Sequence, residues 1–251
     1  IGDEINLPLG RKMKLLKKGR PQEVLIDLPL DESYFSQVAE LPLPPYIQQM
    51  RQRMGKDRHT LKADESWYQT AWAHQAGSFA APTASLHFSM EDIDKLKSRG
   101  VLVVELTLHV GLGTFLPVTM DDLADHEMHE EYVEIPKQTW HLVQQAKQQG
   151  NKVWAMGTTV TRALESAALG ILEETPDKGA YQGFSKLFIQ PGFKWSVVNR
   201  LLTNFHQPES TLLAMVAGFA GLKKVQRAYQ FAIEKRFRLF SYGDLSVWYR
   251  V

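Results

Sequence analysis

The sequence predicts an α/β fold in which helices flank a mixed sheet. Three observations carry that expectation. From residue 68 onward, short apolar runs alternate with amphipathic stretches of helical spacing. Two of those stretches, 90–99 and 136–149, run straight into Gly100 and Gly150, the residue type that most readily ends a helix. The third is composition: with 44% hydrophobic and 23% charged residues in 251, the chain can bury a sizeable core.

Residues 1–30 hold short apolar pieces (INLPLG, VLIDLPL) broken by Gly and basic residues, which read as small strands joined by turns. Ile1 opens without an initiator Met, directly into strand-like sequence, so residues upstream are expected. A short helix is expected over 31–40. ELPLPPYI at 40–47 then interrupts regular structure, because Pro42, Pro44 and Pro45 favour extended backbone. This is the expected linker between a small β unit, 1–40, and an α/β unit, 41–251. The polar run 48–66 reads as a loop or frayed helix.

Beyond 68, a helix over 90–99 leads to a strand at 101–110. A helix over 136–149 starts on Pro136, a favourable first-turn residue. A strand at 152–157 feeds a helix over 159–170, and strands are expected at 187–189 and 198–205. Helices over 208–219 and 222–236 follow, and the chain closes on FRLFSYGD and a final strand, LSVWYRV.

With no cysteines, disulfides and thiolate metal sites are excluded. No window approaches 18 uninterrupted apolar residues and IGDEINLPLG has no signal-peptide pattern, so a cytoplasmic protein without a membrane partner is expected. The net charge is +1 and the pI about 8.1, no global signature of a polyanion binder. The charge is nevertheless uneven. Arg11, Lys12, Lys14, Lys17, Lys18 and Arg20 fall together. Lys223, Lys224, Arg227, Lys235, Arg236 and Arg238 face Glu234 alone. These are either solvated faces or contact patches for phosphate.

Polar residues concentrate in five turns that adjoin apolar strands or helix starts, where ligands gather in α/β sheets. AAPTASLHFS at 80–89 brings Thr83, Ser85 and His87. LTLHVGLGTFLPV at 106–118 brings His109, with Gly111 and Gly113 letting backbone N–H groups approach a ligand. This GLG is no dinucleotide fingerprint, since Thr114 leads into Pro117 with neither a third Gly nor a helix behind it. AMGTTVTRALESAA at 155–168 places Thr158 and Thr159 at a helix start suited to a carboxylate or phosphate. Arg162 and Glu165, one turn apart, form either a surface ion pair or part of that site. In LLTNFHQPESTLL at 201–213, strand alternation would turn Asn204 and His206 to one side. FSYGD at 240–244 sets Tyr242 and Asp244 around a Gly. His87, His109 and His206 all sit at strand–turn junctions, as core histidines or as proton-transfer groups. HEMH at 126–129 offers a His pair but lacks the HExxH spacing of a zinc site, so no metal is expected.

Taken in order, these segments resemble the S-adenosylmethionine:tRNA ribosyltransferase-isomerases of the queuosine pathway. The match is carried by PLPPYI (42–47), YQT (68–70), APTASLHF (81–88), TLHVGLGTFLPV (107–118), MHEEY (128–132), GTTVTRALES (157–166), PGF (191–193), LLTNFHQPESTLL (201–213) and FSYGD (240–244). Residues 1–40 look like the later part of that family's small β-barrel domain, so the barrel is expected to be only partly present at the N-terminus.

The resemblance implies a reaction on tRNA bearing 7-aminomethyl-7-deazaguanine at the wobble position. The ribosyl part of S-adenosylmethionine passes to the aminomethyl nitrogen and isomerises to an epoxycyclopentane, giving epoxyqueuosine, adenine and methionine. S-adenosylmethionine is consumed as ribosyl donor, and no cofactor is implied. A sulfonium acidifies the neighbouring C5′ hydrogens, which a base can take, and adenine departure needs a proton or hydrogen bonds.

On those demands, His109 and His206, with His87 next, are the candidates for proton transfer. Gly111, Gly113 and Thr114 would approach the nucleoside, in a pocket to which Thr83 and Tyr242 add polar lining. Thr158, Thr159 and Arg162 would hold the methionine carboxylate or a tRNA phosphate. Asn204 and Asp244 would orient ribose hydroxyls or the modified base, and the basic segments would contact the anticodon arm. The chain departs from the family pattern at Ser85 (Gly expected), Gln190 and Phe193 (Tyr), Trp67 (a basic residue) and Gln207 (Leu). A tRNA-binding paralogue without catalysis and a metal-dependent hydrolase are the alternatives; the oligomeric state is not encoded in any visible pattern.

Overall fold

A computed structural model describes residues 1–18, 23–38, 41, 43–56, 62–78, 80–111, 128–176 and 180–251. The chain divides into two units, Ile1–Leu41 and Pro42–Val251.

In the first unit, β1 (Glu4–Asn6), β2 (Lys12–Lys17) and β3 (Glu23–Ile26) form an antiparallel meander. Met13 stands opposite Ile5 on one side and Ile26 on the other, the apolar row that sets the register. A short helix, α1 (Glu32–Val38), follows. Its Tyr34 is buried, donates to the Pro8 carbonyl at 3.2 Å and lies under the Arg11 guanidinium, 5.8 Å away. Arg11 also donates to the Pro29 carbonyl at 3.1 Å, so this member of the basic run is structural. Among the described residues the sheet has three strands and does not close into a barrel.

In the second unit the run expected as loop holds two helices, α2 (Pro45–Arg53) and α3 (Lys62–Trp67). Pro45 sits in the first turn of α2, where its missing N–H costs nothing, so the prolines that interrupt one segment start the next. A 3₁₀ turn, Thr83–His87, precedes α4 (Met90–Ser98), which Ser89 and Asp92 close with a reciprocal capping box. Of the long strand expected at 101–110, only β4 (Thr107–His109) pairs; the preceding residues make no ladder.

β4 opens an antiparallel sheet in the order β4-β5-β8-β7, with β5 (Glu131–Ile135), β7 (Glu173–Glu174) and β8 (Tyr181–Ser185). The sequence signal for β5 and β8 is masked by Glu131, Glu134 and a mid-strand Gly183, residues that strands disfavour. A second sheet, β10-β9-β6, joins β6 (Trp154–Met156) parallel to β9 (Arg200–Asn204) and β10 (Leu245–Tyr249) antiparallel to it. The expected mixed sheet is therefore present. Residues 187–189, expected as a strand, belong to none of the strands.

Helices α5 (Lys137–Gln148), α6 (Thr158–Ala168), α7 (Thr211–Ala220) and α8 (Leu222–Glu234) complete the unit. α7 begins after Pro208 because the Ser210 hydroxyl caps the Leu213 N–H at 3.2 Å. The core joins Val133 and Ile135 of β5, Ala155 of β6, Leu201 of β9, Ala163 of α6, and Val216 and Phe219 of α7. Each large apolar side chain buried there contributes roughly 1.5–3 kcal/mol. α6 is buried from Thr161 to Ala167 and touches β6, β8 and β9, which makes it the element that registers the two sheets. Among the described residues no helix is long and apolar enough to cross a membrane.

Candidate active site

Asn204 ends β9 at a buried position and uses its whole amide there. Its Oδ1 accepts from the Thr83 hydroxyl at 2.9 Å. Its Nδ2 donates to the Gly243 carbonyl at 3.1 Å and to His87 Nε2 at 3.4 Å. One side chain thus ties the 3₁₀ turn, the end of β9 and the FSYGD loop together. With Nε2 accepting, the neutral His87 ring carries its proton on Nδ1. The ring itself is exposed.

The FSYGD loop is fixed from behind by α2 and α3. Tyr46 accepts the Ser241 N–H at 2.6 Å, and Tyr242 donates to Asp64 Oδ1 at 3.0 Å. Asp64 is fully buried and receives both Arg51 amino groups, at 2.8 and 2.7 Å. Burial, and then the bonded Asp64 carboxylate, push the Tyr242 hydroxyl above its usual range, so it remains a donor. Asp244 is held below the usual carboxylate range, first by the Arg238 backbone N–H and then by its guanidinium, with a smaller attraction from His87. Gly243 cannot carry a side chain, because a Cβ would lie 2.4 Å from the Leu239 carbonyl carbon.

These elements wall a cavity of about 620 Å³ lined by Trp67, Thr70, His87, Phe88, Tyr242 and Gly243, among others. That is room for a nucleoside-sized ligand. A smaller cavity of about 350 Å³ shares His87 and Phe88 with it and continues to Lys95 and Arg99.

The start of α6 adjoins the same turn. Gly157 adopts φ +104°, and a Cβ there would sit 3.9 Å from that of Ala84. Thr158 is the first helical residue and is buried; Thr159 is half-buried. Of the two readings of Arg162 and Glu165, the surface ion pair is not formed. Arg162 points to β5 and bonds the buried Glu131, while its Nε and Nη1 have no hydrogen-bond partner among the described residues. Glu165, fully buried, instead accepts the backbone N–H groups of Ser196, Val197 and Val198 at 2.8, 2.9 and 2.8 Å. Helical spacing shows that two side chains share a face; it does not show that the face is interior.

Asn204 and His206 do not act on one side, because β9 ends at Asn204 and the alternation ends with it. His206 Nε2 bonds the Thr203 hydroxyl at 2.8 Å, and its backbone N–H bonds the Tyr229 hydroxyl at 2.7 Å. Burial pushes His206 down to about 4, so it is neutral at physiological pH. His109 lies in the other sheet, edge-on to Tyr132 at 5.5 Å, with Gly77 against its ring. It does not line the cavity at His87. Gly111 follows two residues on. Gly113 and Thr114 lie outside the described residues, as do His126 and Glu127 of HEMH. Among the described residues no group of three or more His, Asp or Glu could hold a metal. The Arg51–Asp64–Tyr242 network escapes a sequence reading because Asp64 lies in a polar run without apolar periodicity.

A family model described as queuosine biosynthesis protein matches residues 1–247. The chain is 44% identical over 235 residues to the S-adenosylmethionine:tRNA ribosyltransferase-isomerase of Natranaerobius thermophilus, covering 94% of this chain and 61% of that protein. It is 49% identical over 208 residues to the protein of the same name from Syntrophotalea carbinolica, covering 83% and 57%. The crystal structure of S-adenosylmethionine tRNA ribosyltransferase from Thermotoga maritima superposes with a TM-score of 0.53 at 40% identity, over 65% of this chain and 50% of that one. The chain thus spans about three fifths of the length of these two sequence relatives. With the family model matching residues 1–247 and 40–49% identity to its members, this chain belongs to the queuosine biosynthesis protein family, that of the S-adenosylmethionine:tRNA ribosyltransferase-isomerases.

Proposed function

We propose that the protein transfers and isomerises the ribosyl group of S-adenosylmethionine onto 7-aminomethyl-7-deazaguanine at the wobble position of tRNA. The products are epoxyqueuosine, adenine and methionine. The observation that carries this reading is the Asn204 hub, which holds a histidine, a glycine carbonyl and a threonine around a nucleoside-sized cavity in a chain of this family.

The residues divide the chemical work as follows. His87 moves the proton: it is exposed at the cavity, the long 3.4 Å contact from Asn204 orients the ring and yields when Nε2, its one lone pair, takes the proton, and the ionised Asp244 stabilises the imidazolium so formed. Asn204 positions it; its amide is fully used by protein partners and is not free for ribose. Tyr242 keeps its proton and, with Thr83 and the Gly243 backbone, borders the nucleoside. Gly111, Gly113 and Thr114 remain candidates for contact with the nucleoside. Thr158 and Thr159 at the start of α6, with the unpaired N–H groups of Arg162, take the methionine carboxylate. His206, neutral and bonded within the protein, supports β9, and His109 remains the second candidate for proton transfer. S-adenosylmethionine is spent in the reaction, and no step calls for a further cofactor. A tRNA substrate puts the work in the cytoplasm.

The basic runs near Lys14 and along α8 contact the anticodon arm, and Ile1–Leu41 is part of a small β-barrel domain. The test is nucleoside mass spectrometry of tRNA carrying the aminomethyl base after incubation with protein and S-adenosylmethionine. Epoxyqueuosine with equimolar adenine supports the reading. An unchanged base with a full-length preparation rejects it.

A further inference from the structure

Trp67 closes α3 with its indole 62% exposed, yet it stands at the wall of the larger cavity. Among the described residues it stacks on no ring and bonds no polar group. A single exposed Trp is ordinary, but this one lines a cavity that also holds His87 and Tyr242, where its open face is placed to stack on a bound base. Around the corner, past His87 and Phe88, the smaller cavity is bordered by Lys95 and Arg99. Lys95 is paired with Glu91 at 2.8 Å, whereas Arg99 is exposed and has no carboxylate within ion-pairing distance among the described residues.

A free aromatic face, a connected trough and an unpaired guanidinium match single-stranded RNA, whose bases stack on aromatics while its phosphates meet cations. A free nucleoside would use the aromatic face and leave Arg99 without a purpose. We infer that Trp67 is the stacking platform for an unstacked base of the substrate RNA loop, and that Arg99 holds a phosphate of the same strand. The inference rests on the tRNA reading above and adds the route by which the strand crosses the site, from Trp67 over His87 to Arg99.

Equilibrium titration of a labelled anticodon stem-loop into the full chain tests this without requiring turnover. Trp67→Ala weakens RNA binding about tenfold, and Trp67→Phe recovers most of it. Arg99→Ala lowers the slope of log affinity against log salt by about 0.7, the loss of one single-strand phosphate contact, while Trp67→Ala leaves the slope alone. The KM for S-adenosylmethionine does not move in Arg99→Ala, and in Trp67→Ala it changes by less than the RNA affinity does. Both side chains are exposed, and unchanged unfolding midpoints confirm that the variants fold. RNA affinity unaffected by Trp67→Ala, or a raised KM for S-adenosylmethionine in its place, overturns the inference even if epoxyqueuosine is formed. Weakened RNA binding without epoxyqueuosine retains it and rejects the catalytic reading instead.

Discussion

The Thr83 hydroxyl donates to Asn204 Oδ1 at 2.9 Å across 121 residues of sequence. Through this bond the 3₁₀ turn that presents His87 is anchored to the end of β9, and through the same amide to the FSYGD loop. Asn204→Ala leaves the Thr83 hydroxyl and the Gly243 carbonyl unpaired. It should cost about 1–3 kcal/mol in urea unfolding and reduce adenine release by about two orders of magnitude. Asn204→Asp separates the two effects. Its carboxylate still accepts from Thr83 but donates to neither His87 nor Gly243, so turnover falls while Thr83 stays bonded. Wild-type turnover in Asn204→Asp would show that the hub does not position the site.

His206 gives a pH signature. Its folded value of about 4 lies below its ordinary 6.5. Between those values the unfolded chain holds the extra proton. Stability from this group is therefore complete above about pH 6.5, declines as pH falls toward 4, and levels off below. The full swing is up to about 3 kcal/mol. His206→Gln keeps a side chain able to meet Thr203 and removes the titration, so its stability should fall less between pH 6.5 and 4.5 than that of the wild type. Parallel curves for the two proteins would refute the assignment.

The Arg162–Glu131 pair is buried on both sides. Removing one partner strands a charge, and Arg162→Ala or Glu131→Ala should each cost about 3–5 kcal/mol in urea unfolding. Replacing both, Arg162→Met with Glu131→Leu, should cost clearly less than the sum. That double variant should still lose S-adenosylmethionine affinity if Arg162 takes the methionine carboxylate. Additive losses in stability would mean that the two side chains do not act as a pair.

Gly77 limits what the His109 ring can do. Its φ is +127°, and a Cβ would come within 2.4 Å of His109 Nδ1. Gly77→Ala must strain the backbone and displace the ring, at roughly 1–3 kcal/mol. If His109 shares in proton transfer, kcat falls by more than tenfold while RNA affinity is kept. If turnover survives the substitution at permissive temperature, His87 alone remains for that role.

The sequence was most legible where local rules coincide with tertiary ones. Gly100 and Gly150 ended helices as C-terminal capping requires, and β6 to α6 turned where Gly157 allowed it. The turn at 80–89 and Asn204 were visible as polar residues at strand ends. What brings them together is a bond across 121 residues, for which local pattern holds no signal. Glu165 illustrates the opposite failure. A charged residue near an Arg reads as surface, yet three backbone N–H groups around residues 196–198 make the interior its best environment. β5 and β8 were hidden because Glu131 and Gly183 obey the demands of a buried ion pair and of a backbone at φ +151° before those of strand propensity.

The most direct test of the central claim follows the atoms of S-adenosylmethionine. The protein and the aminomethyl-bearing anticodon stem-loop are incubated with donor labelled once in the ribose and, separately, once in the methyl group. The account predicts ribose label on the RNA in step with adenine release, and methyl label recovered only in methionine. Methyl label on the RNA, or ribose label that stays with adenine, would contradict it.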